Sequence, residues 1–228
     1  MLLYSSSSRI KTAVLFLVFN RPDTTSLVLE KIRQIKPPRL YVAGDGPRKG
    51  NDEDTEKVQR VREIATRIDW PCEVKTLFRE RNLGCKKGVS TAITWFFNQE
   101  EKGIILEDDC VPNLDFFNFC ESLLDRYAND EKISVISGNN FQNGKWRGNA
   151  SYYFSKYSHI WGWASWRRAW KHYDGDIKFW PEWRNSKAWL NHMPDKMERK
   201  NWEKIFDRVY DGQIDTWDYP WDASRQYK

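Results

Sequence analysis

Between residues 12 and 140, short apolar runs alternate with longer amphipathic stretches, and this alternation restricts the fold more than any other feature of the chain. Thr12–Phe19, Leu40–Ala43, Cys72–Phe78 and Gly103–Leu106 read as four strands, and Ile133–Ser137 as a fifth. Thr24–Ile35 sets Leu27, Val28, Ile32 and Ile35 at helical spacing, with Asp23 or Thr24 as N-cap. Asp54–Ile68 carries Val58, Val61, Ile64, Ala65 and Ile68 on one face, and Gly88–Gln99 reads as a third helix. Strands separated by helical patterns predict an α/β fold with a parallel or mixed sheet and right-handed crossovers. A length of 228 residues suits one domain, divided into a half over 12–140 and an aromatic-rich half over 141–228.

Composition excludes several classes of function. The net charge of +5 is spread along the chain, with no basic stripe interleaved with aromatics, so no nucleic-acid partner is expected. Ala13–Phe19 is the apolar run nearest the N-terminus and is too short to span a bilayer, which leaves only peripheral membrane contact open. Cys72, Cys85, Cys110 and Cys120 lack the spacing of a zinc site. Reduced, partly buried thiols are expected instead, as suits a cytoplasmic protein. His159, His172 and His192 show no paired spacing.

In parallel α/β sheets, ligands bind at the carboxyl ends of the strands. Those ends hold Phe19-Asn20-Arg21-Pro22, then Asp45 within Gly44-Asp45-Gly46-Pro47, then Arg79–Gly84, then Glu107-Asp108-Asp109. Together they offer Arg for phosphate, Asp for ribose or base, and carboxylates for a cation. Three acids ending a buried strand are costly without a cation or hydrogen bonds, and Mg²⁺ or Mn²⁺ take such oxygen ligands. An exposed acidic turn is the plain alternative. No GxGxxG follows the first strand and the chain has no GxxxxGK[ST], so neither a dinucleotide fingerprint nor a P-loop is present.

The runs Val14–Pro22, Val42–Gly46, Arg81-Asn82-Leu83-Gly84, Glu107-Asp108-Asp109, His159–Trp166 and Trp217-Asp218-Tyr219-Pro220-Trp221, in this order, resemble GT-A nucleotide-diphospho-sugar glycosyltransferases. The closer likeness is to bacterial family 2-like enzymes, with a more distant one to the inverting Golgi N-acetylglucosaminyltransferase. The resemblance implies a GT-A mixed sheet flanked by helices, with an aromatic-rich C-terminal acceptor lobe. It implies a UDP-sugar donor, a glycan or other saccharide acceptor, and a divalent cation, Mn²⁺ or Mg²⁺. Phe19, Asn20, Arg21, Asp45, Arg81, Asn82, Gly84 and Asp108 would hold the nucleotide, with Asp45 at uracil or ribose and Asp108 at ribose. Asp109 and Glu107 would hold the metal. Asp218 would be the general base, with Asp215 and Asp222 as fallbacks. Members of this family usually continue for some tens of residues past the last Trp block and add a strand and often a metal-binding His. This chain is therefore expected to be truncated, or to complete its site differently.

Ten of the 13 tryptophans lie in residues 151–228. They read as core, as an acceptor cleft, or as both, with Trp163, Trp166 and Trp170 packed and Trp180, Trp183 or Trp221 exposed. Two rival functions follow. One is a non-catalytic carbohydrate-binding protein, from the aromatic half. The other is a sugar-nucleotide-forming nucleotidyltransferase, which Asn20-Arg21-Pro22-Asp23 does not suit because it lacks a Gly-rich loop.

Overall fold

A computed structural model describes residues 10–146 and 148–228. The first half alternates as expected: β1 (Val14–Val18), α1 (Pro22–Ile35), β2 (Arg39–Gly44), α2 (Asp52–Ala65), β3 (Glu73–Phe78), α3 (Gly84–Phe97), β4 (Lys102–Glu107) and α4 (Leu114–Arg126). Then come β5 (Ile136–Ser137), β6 (Trp163–Trp166), α5 (Arg167–Trp170), α6 (Trp180–Arg184), α7 (Lys187–His192), α8 (Lys196–Tyr210) and α9 (Asp218–Tyr227). Among the described residues these form one six-stranded mixed sheet in the order β3-β2-β1-β4-β6-β5, flanked by helices. Strands β1 to β4 run parallel, while β6 is antiparallel to both β4 and β5.

β1 explains the layering. Side chains alternate between sheet faces with a period of two, and both faces of this strand are covered. Val14, Phe16 and Val18 pack with Val28 and Ile32 of α1, Val61 of α2, and Phe117 and Leu124 of α4. Leu15 and Leu17 pack with Ile93, Phe96 and Phe97 of α3 and with Trp163, Trp170, Trp217 and Trp221. The second half therefore supplies a strand and a helix layer to the same sheet, and the boundary at residue 140 does not divide the core. No local period announced β6; its Trp-Ala-Ser-Trp run is a strand because β4 pairs with it.

Several element boundaries differ from the sequence reading. α1 starts at Pro22, and neither Asp23 nor Thr24 caps it; Arg21 occupies the N-cap without a side-chain capping bond. Proline at the first helical position presets φ and lacks an N–H that would go unpaired there, so the helix begins earlier. α2 begins at Asp52 because Asn51 caps it, accepting from the Asp54 N–H at 3.1 Å. α3 starts four residues before the expected Gly88, at Gly84, and the fifth strand shrinks to Ile136–Ser137.

The aromatic expectation is half right. Trp163, Trp166 and Trp170 are packed, but Trp180, Trp183 and Trp221 are buried as well, at 1%, 5% and 1% exposure. Trp180 and Trp183 pack edge-on to Trp189, with ring centres 5.1 Å and 4.8 Å away, beside Phe206 and Met193. Buried indoles need a partner for their N–H. Asp207 accepts from Trp180 at 2.9 Å and Glu203 accepts from Trp189 at 3.0 Å, so these side chains form a helical core cluster.

Arg168 closes the edge of the sheet. Its guanidinium donates to the Ala128, Tyr127 and Ile133 carbonyls at 2.7, 2.8 and 3.0 Å, and it lies 4.3 Å over the Trp166 ring. The Tyr127 and Ala128 carbonyls directly follow α4, and Ile133 leads toward β5. A lysine ammonium is a compact point charge that does not reproduce the guanidinium fork. Arg168→Lys is expected to cost about 1–3 kcal/mol in urea unfolding, the usual loss when buried acceptors go unsatisfied.

Candidate functional site

Because β1 to β4 are parallel, the polar residues that follow them meet along one edge of the sheet. Leu17 is paired with Glu107, so the segments just beyond β1 and β4 lie side by side. Asp108, 4% exposed, accepts the Phe19 N–H at 2.9 Å and the Arg21 guanidinium at 2.9 Å. The same Arg21 nitrogen reaches Asp109 at 2.6 Å. Asp109 and Arg21 remain about half exposed, with side-chain exposures of 47% and 55%. The acid triplet is thus no exposed turn: one acid is buried and hydrogen-bonded, and the next faces solvent.

Glu107 is the unusual member. Its Oε1 is buried and has no hydrogen-bond partner among the described residues. Burial, and then the charges of Asp109, Asp108 and Asp218, push its carboxyl up to about 7. Asp108 is raised too, chiefly by burial, with the Phe19 amide and Arg21 opposing.

Asp45, at the end of β2, does not project freely into the edge. Its carboxylate accepts from the Gly46 N–H at 2.9 Å and from the Leu83 N–H at 3.0 and 2.9 Å. This ties the loop after β2 to the one after β3. Asn82 completes the tie by donating to the Gly46 carbonyl at 3.0 Å. The loops touch backbone to backbone: a Cβ on Gly46 would lie 2.4 Å from Arg81 main-chain atoms. Arg81 itself is exposed. Asn20 turns away from the acids and donates to Asp54 at 2.7 Å. Asp54 is buried and also holds Arg48 through two side-chain bonds of 2.5 and 2.8 Å.

The second half reaches this edge through Asp215. Its carboxylate accepts from the Cys85 and Lys86 amides, both at 3.1 Å, at the open N-terminus of α3. Gly84 makes this possible: its φ is +81°, and a Cβ there would lie 2.6 Å from Asp215 Oδ2. Three residues on, Asp218 opens α9 rather than sitting in an irregular turn. It accepts from its neighbour Tyr219 N–H at 2.9 Å and from the Thr216 hydroxyl, and its charge is felt at Glu107. Asp215 is therefore occupied by α3. Asp222 is buried against Arg225, with Ser158 and Gln226 donating at 3.1 Å each, so neither fallback base is free. Asp54, Arg48 and the docking role of Asp215 escaped the sequence reading. Asn51 could have been read as the cap that puts Asp54 in the first turn of α2, whereas nothing local links Asp215 to Cys85.

The cysteines are free thiols, but Cys85 is exposed rather than partly buried. Burial and neighbouring acids raise the part-buried Cys110 thiol to about 12. It stays protonated at neutral pH and is no thiolate nucleophile. Among the described residues no His, Cys, Asp and Glu group of three or more is arranged to hold a metal ion. Two carboxylates are nonetheless suited to one: Glu107, with its orphaned Oε1, and the half-exposed Asp109. Mg²⁺ and Mn²⁺ typically use one or two carboxylates and draw further ligands from substrate phosphates.

A cleft of about 1650 Å³ opens from Asp109 and Cys110 and runs between α4 and residues 139–161. No helix of the described residues is long and apolar enough to cross a membrane. Comparison with models of known protein families finds no match to this chain, and comparison with curated proteins finds none either.

The raised Glu107 carboxyl makes stability pH-dependent. Its unfolded-state value is near 4.5 and its folded value near 7. Between these values the unfolded chain releases the proton while the folded chain retains it. The contribution of this group is therefore fully present below about pH 4.5 and is lost as pH rises through about 7, an amount on the order of 3 kcal/mol. Glu107→Gln should lie within about 1 kcal/mol of the parent at pH 5 in EDTA. At pH 8 it should be more stable by roughly that amount, as read by urea unfolding.

Proposed function

We propose that this chain is a metal-dependent glycosyltransferase of the GT-A kind, moving a sugar from a UDP-sugar to a hydroxyl of a saccharide acceptor with inversion. The observation that carries this reading is the gathering of Arg21, Asp45, the 81–84 loop and Glu107-Asp108-Asp109 on one strand-end edge. The start of α9 comes close enough for Asp218 to act electrostatically on Glu107. A strand-end crevice with phosphate-binding and carboxylate groups suits a nucleoside diphosphate.

In this reading Arg21 exchanges its carboxylate partners for the diphosphate, to which its rigid donor fork is matched. Asp45 and the loops it joins form the wall that receives uracil and ribose, and Asp108 reaches ribose. Asp109 and Glu107 would hold the cation, which would supply positive charge opposite the departing diphosphate. Asp218, in the first turn of α9, takes the proton of the acceptor hydroxyl.

Titration calorimetry with UDP and Mn²⁺ is the direct test, and absence of metal-dependent binding would refute the proposal. Asp109→Asn should lower affinity for UDP·Mn²⁺ by about tenfold or more, equivalent to about 1.4 kcal/mol, without changing the melting temperature. If affinity stays within about twofold, Asp109 is not a ligand.

Asp218→Asn should abolish UDP release from UDP-sugars in the presence of saccharide acceptors. UDP·Mn²⁺ affinity should remain, because the residue faces the acceptor. Full transfer by this variant would retire Asp218 as the base.

A second reading, nucleotide-independent carbohydrate binding, is favoured by one observation. Arg21 pairs with both Asp108 and Asp109, at 2.9 and 2.6 Å. It expects saccharide binding that is indifferent to UDP and Mn²⁺.

A further inference from the structure

The tryptophans of the C-terminal helices are buried, so the aromatic surface available to a ligand lies elsewhere. It is concentrated in residues 141–161, where Phe141, Tyr153, Phe154 and Trp161 are 55–65% exposed. Large aromatic side chains usually lose most of their area in a fold, and several exposed together mark a binding surface.

Phe141, Trp161 and Phe154 belong to two separate ring clusters, and His159, Trp161, Tyr127, Tyr152 and Phe154 line one cleft. In the first, His159 and Trp161 lie nearly parallel, 18° apart with centres at 6.3 Å. Phe141 stands edge-on to both, at 4.8 and 5.9 Å. The chain holds this corner firmly. Ser137 donates to the His159 carbonyl at 2.9 Å, and the Gly138 N–H to the Gly162 carbonyl at 3.0 Å. In the second cluster Tyr127, Tyr152 and Phe154 meet edge-on, with centres 5.8 to 6.4 Å apart. The Tyr127 and Tyr152 hydroxyls are hydrogen-bonded at 2.7 Å.

Topology places the first cluster beside the acids. β5 and β4 are both antiparallel to β6, so β5 runs in the same direction as β4. The residues that follow β5 therefore emerge on the same edge as Glu107-Asp108-Asp109. The cleft that begins at Asp109 is lined by members of both clusters and by Asn113, Asn139 and Asn140. Aromatic faces stack on the apolar faces of pyranose rings, while amide side chains serve ring hydroxyls. A volume of about 1650 Å³ exceeds the roughly 300–1,000 Å³ of pockets that enclose one drug-sized ligand.

We propose that the cleft binds an oligosaccharide of several rings, one stacked at Phe141-His159-Trp161 beside the acid edge and another at Phe154 and Tyr152. This rests on the glycosyltransferase reading for its acceptor role, and it specifies an acceptor that is a chain rather than a single sugar or a protein hydroxyl. The interspersed amides favour a saccharide over a lipid surface, which they would leave unpaired in hydrocarbon.

The test is an array of oligosaccharides of two to six residues, followed by calorimetry with the best binders and their shorter homologues. Affinity should rise with chain length. Trp161→Ala should lose about tenfold or more for every length, and Phe154→Ala should lose it for the longer chains alone. Both residues are exposed, so melting temperatures should stay at the parent value. Failure to bind any oligosaccharide, or unchanged binding by both variants, overturns the proposal. So does loss of binding to phosphatidylcholine–phosphatidylglycerol vesicles in the variants without any saccharide binding, which would make this a membrane-contacting surface. UDP·Mn²⁺ titration of the same samples separates the two ideas. Saccharide binding lost in Trp161→Ala without UDP binding keeps the platform and removes the transferase. UDP binding without saccharide binding removes the platform alone.

Discussion

Burial of β1 on both faces is the constraint from which the rest of the molecule follows. A strand with no solvent-facing side must be covered by helices above and below, and short parallel connections through helices achieve this. Val14, Phe16 and Val18 take one layer and Leu15 and Leu17 the other. Once β2, β3 and β4 run in the same direction as β1, the polar residues that follow these four strands arrive at one edge. The chemistry of that edge is a by-product of covering the core. Position there, rather than any single motif, gives Arg21, Asp45 and Asp109 a common neighbourhood.

That neighbourhood carries an excess of negative charge, and the fold handles it unequally. Asp108 is compensated by an amide and a guanidinium, and Asp45 by the backbone of the adjoining loop. Glu107 has no such compensation at Oε1 and responds by holding its proton. An uncompensated buried carboxyl is where a cation or a ligand donor gains most, because the desolvation has already been incurred in the folded state. The half-exposed Asp109 beside it leaves the approach open.

The two halves are joined at the same place. Asp215 caps α3, and Gly84 leaves room for it, so α9 is docked over the strand ends by hydrogen bonds that cross 130 residues of sequence. Trp217 and Trp221 then lie under the sheet against Trp163 and Trp170. The aromatic wealth of the second half is therefore mostly packing, and its most exposed rings belong to the segment between β5 and β6. Composition could not separate these two uses of an aromatic side chain, since burial depends on what the helices meet.

Local pattern alone determined the α/β alternation, the positions of β1 to β4 within one or two residues, and the list of polar residues at their ends. It did so because hydrophobic periods of 2 and 3.6 are properties of short segments. The start of α1 and the length of the fifth strand were misread, since Pro22 and strand pairing outweighed the cap and apolar signals. Tertiary structure alone decided that β6 joins the sheet, that Asn20 serves Asp54, that Asp215 and Asp222 are engaged elsewhere, and that Trp180, Trp183 and Trp221 are buried. Each of those outcomes depends on contacts between residues distant in sequence, and a carboxylate or an indole carries no local mark of the partner that will occupy it.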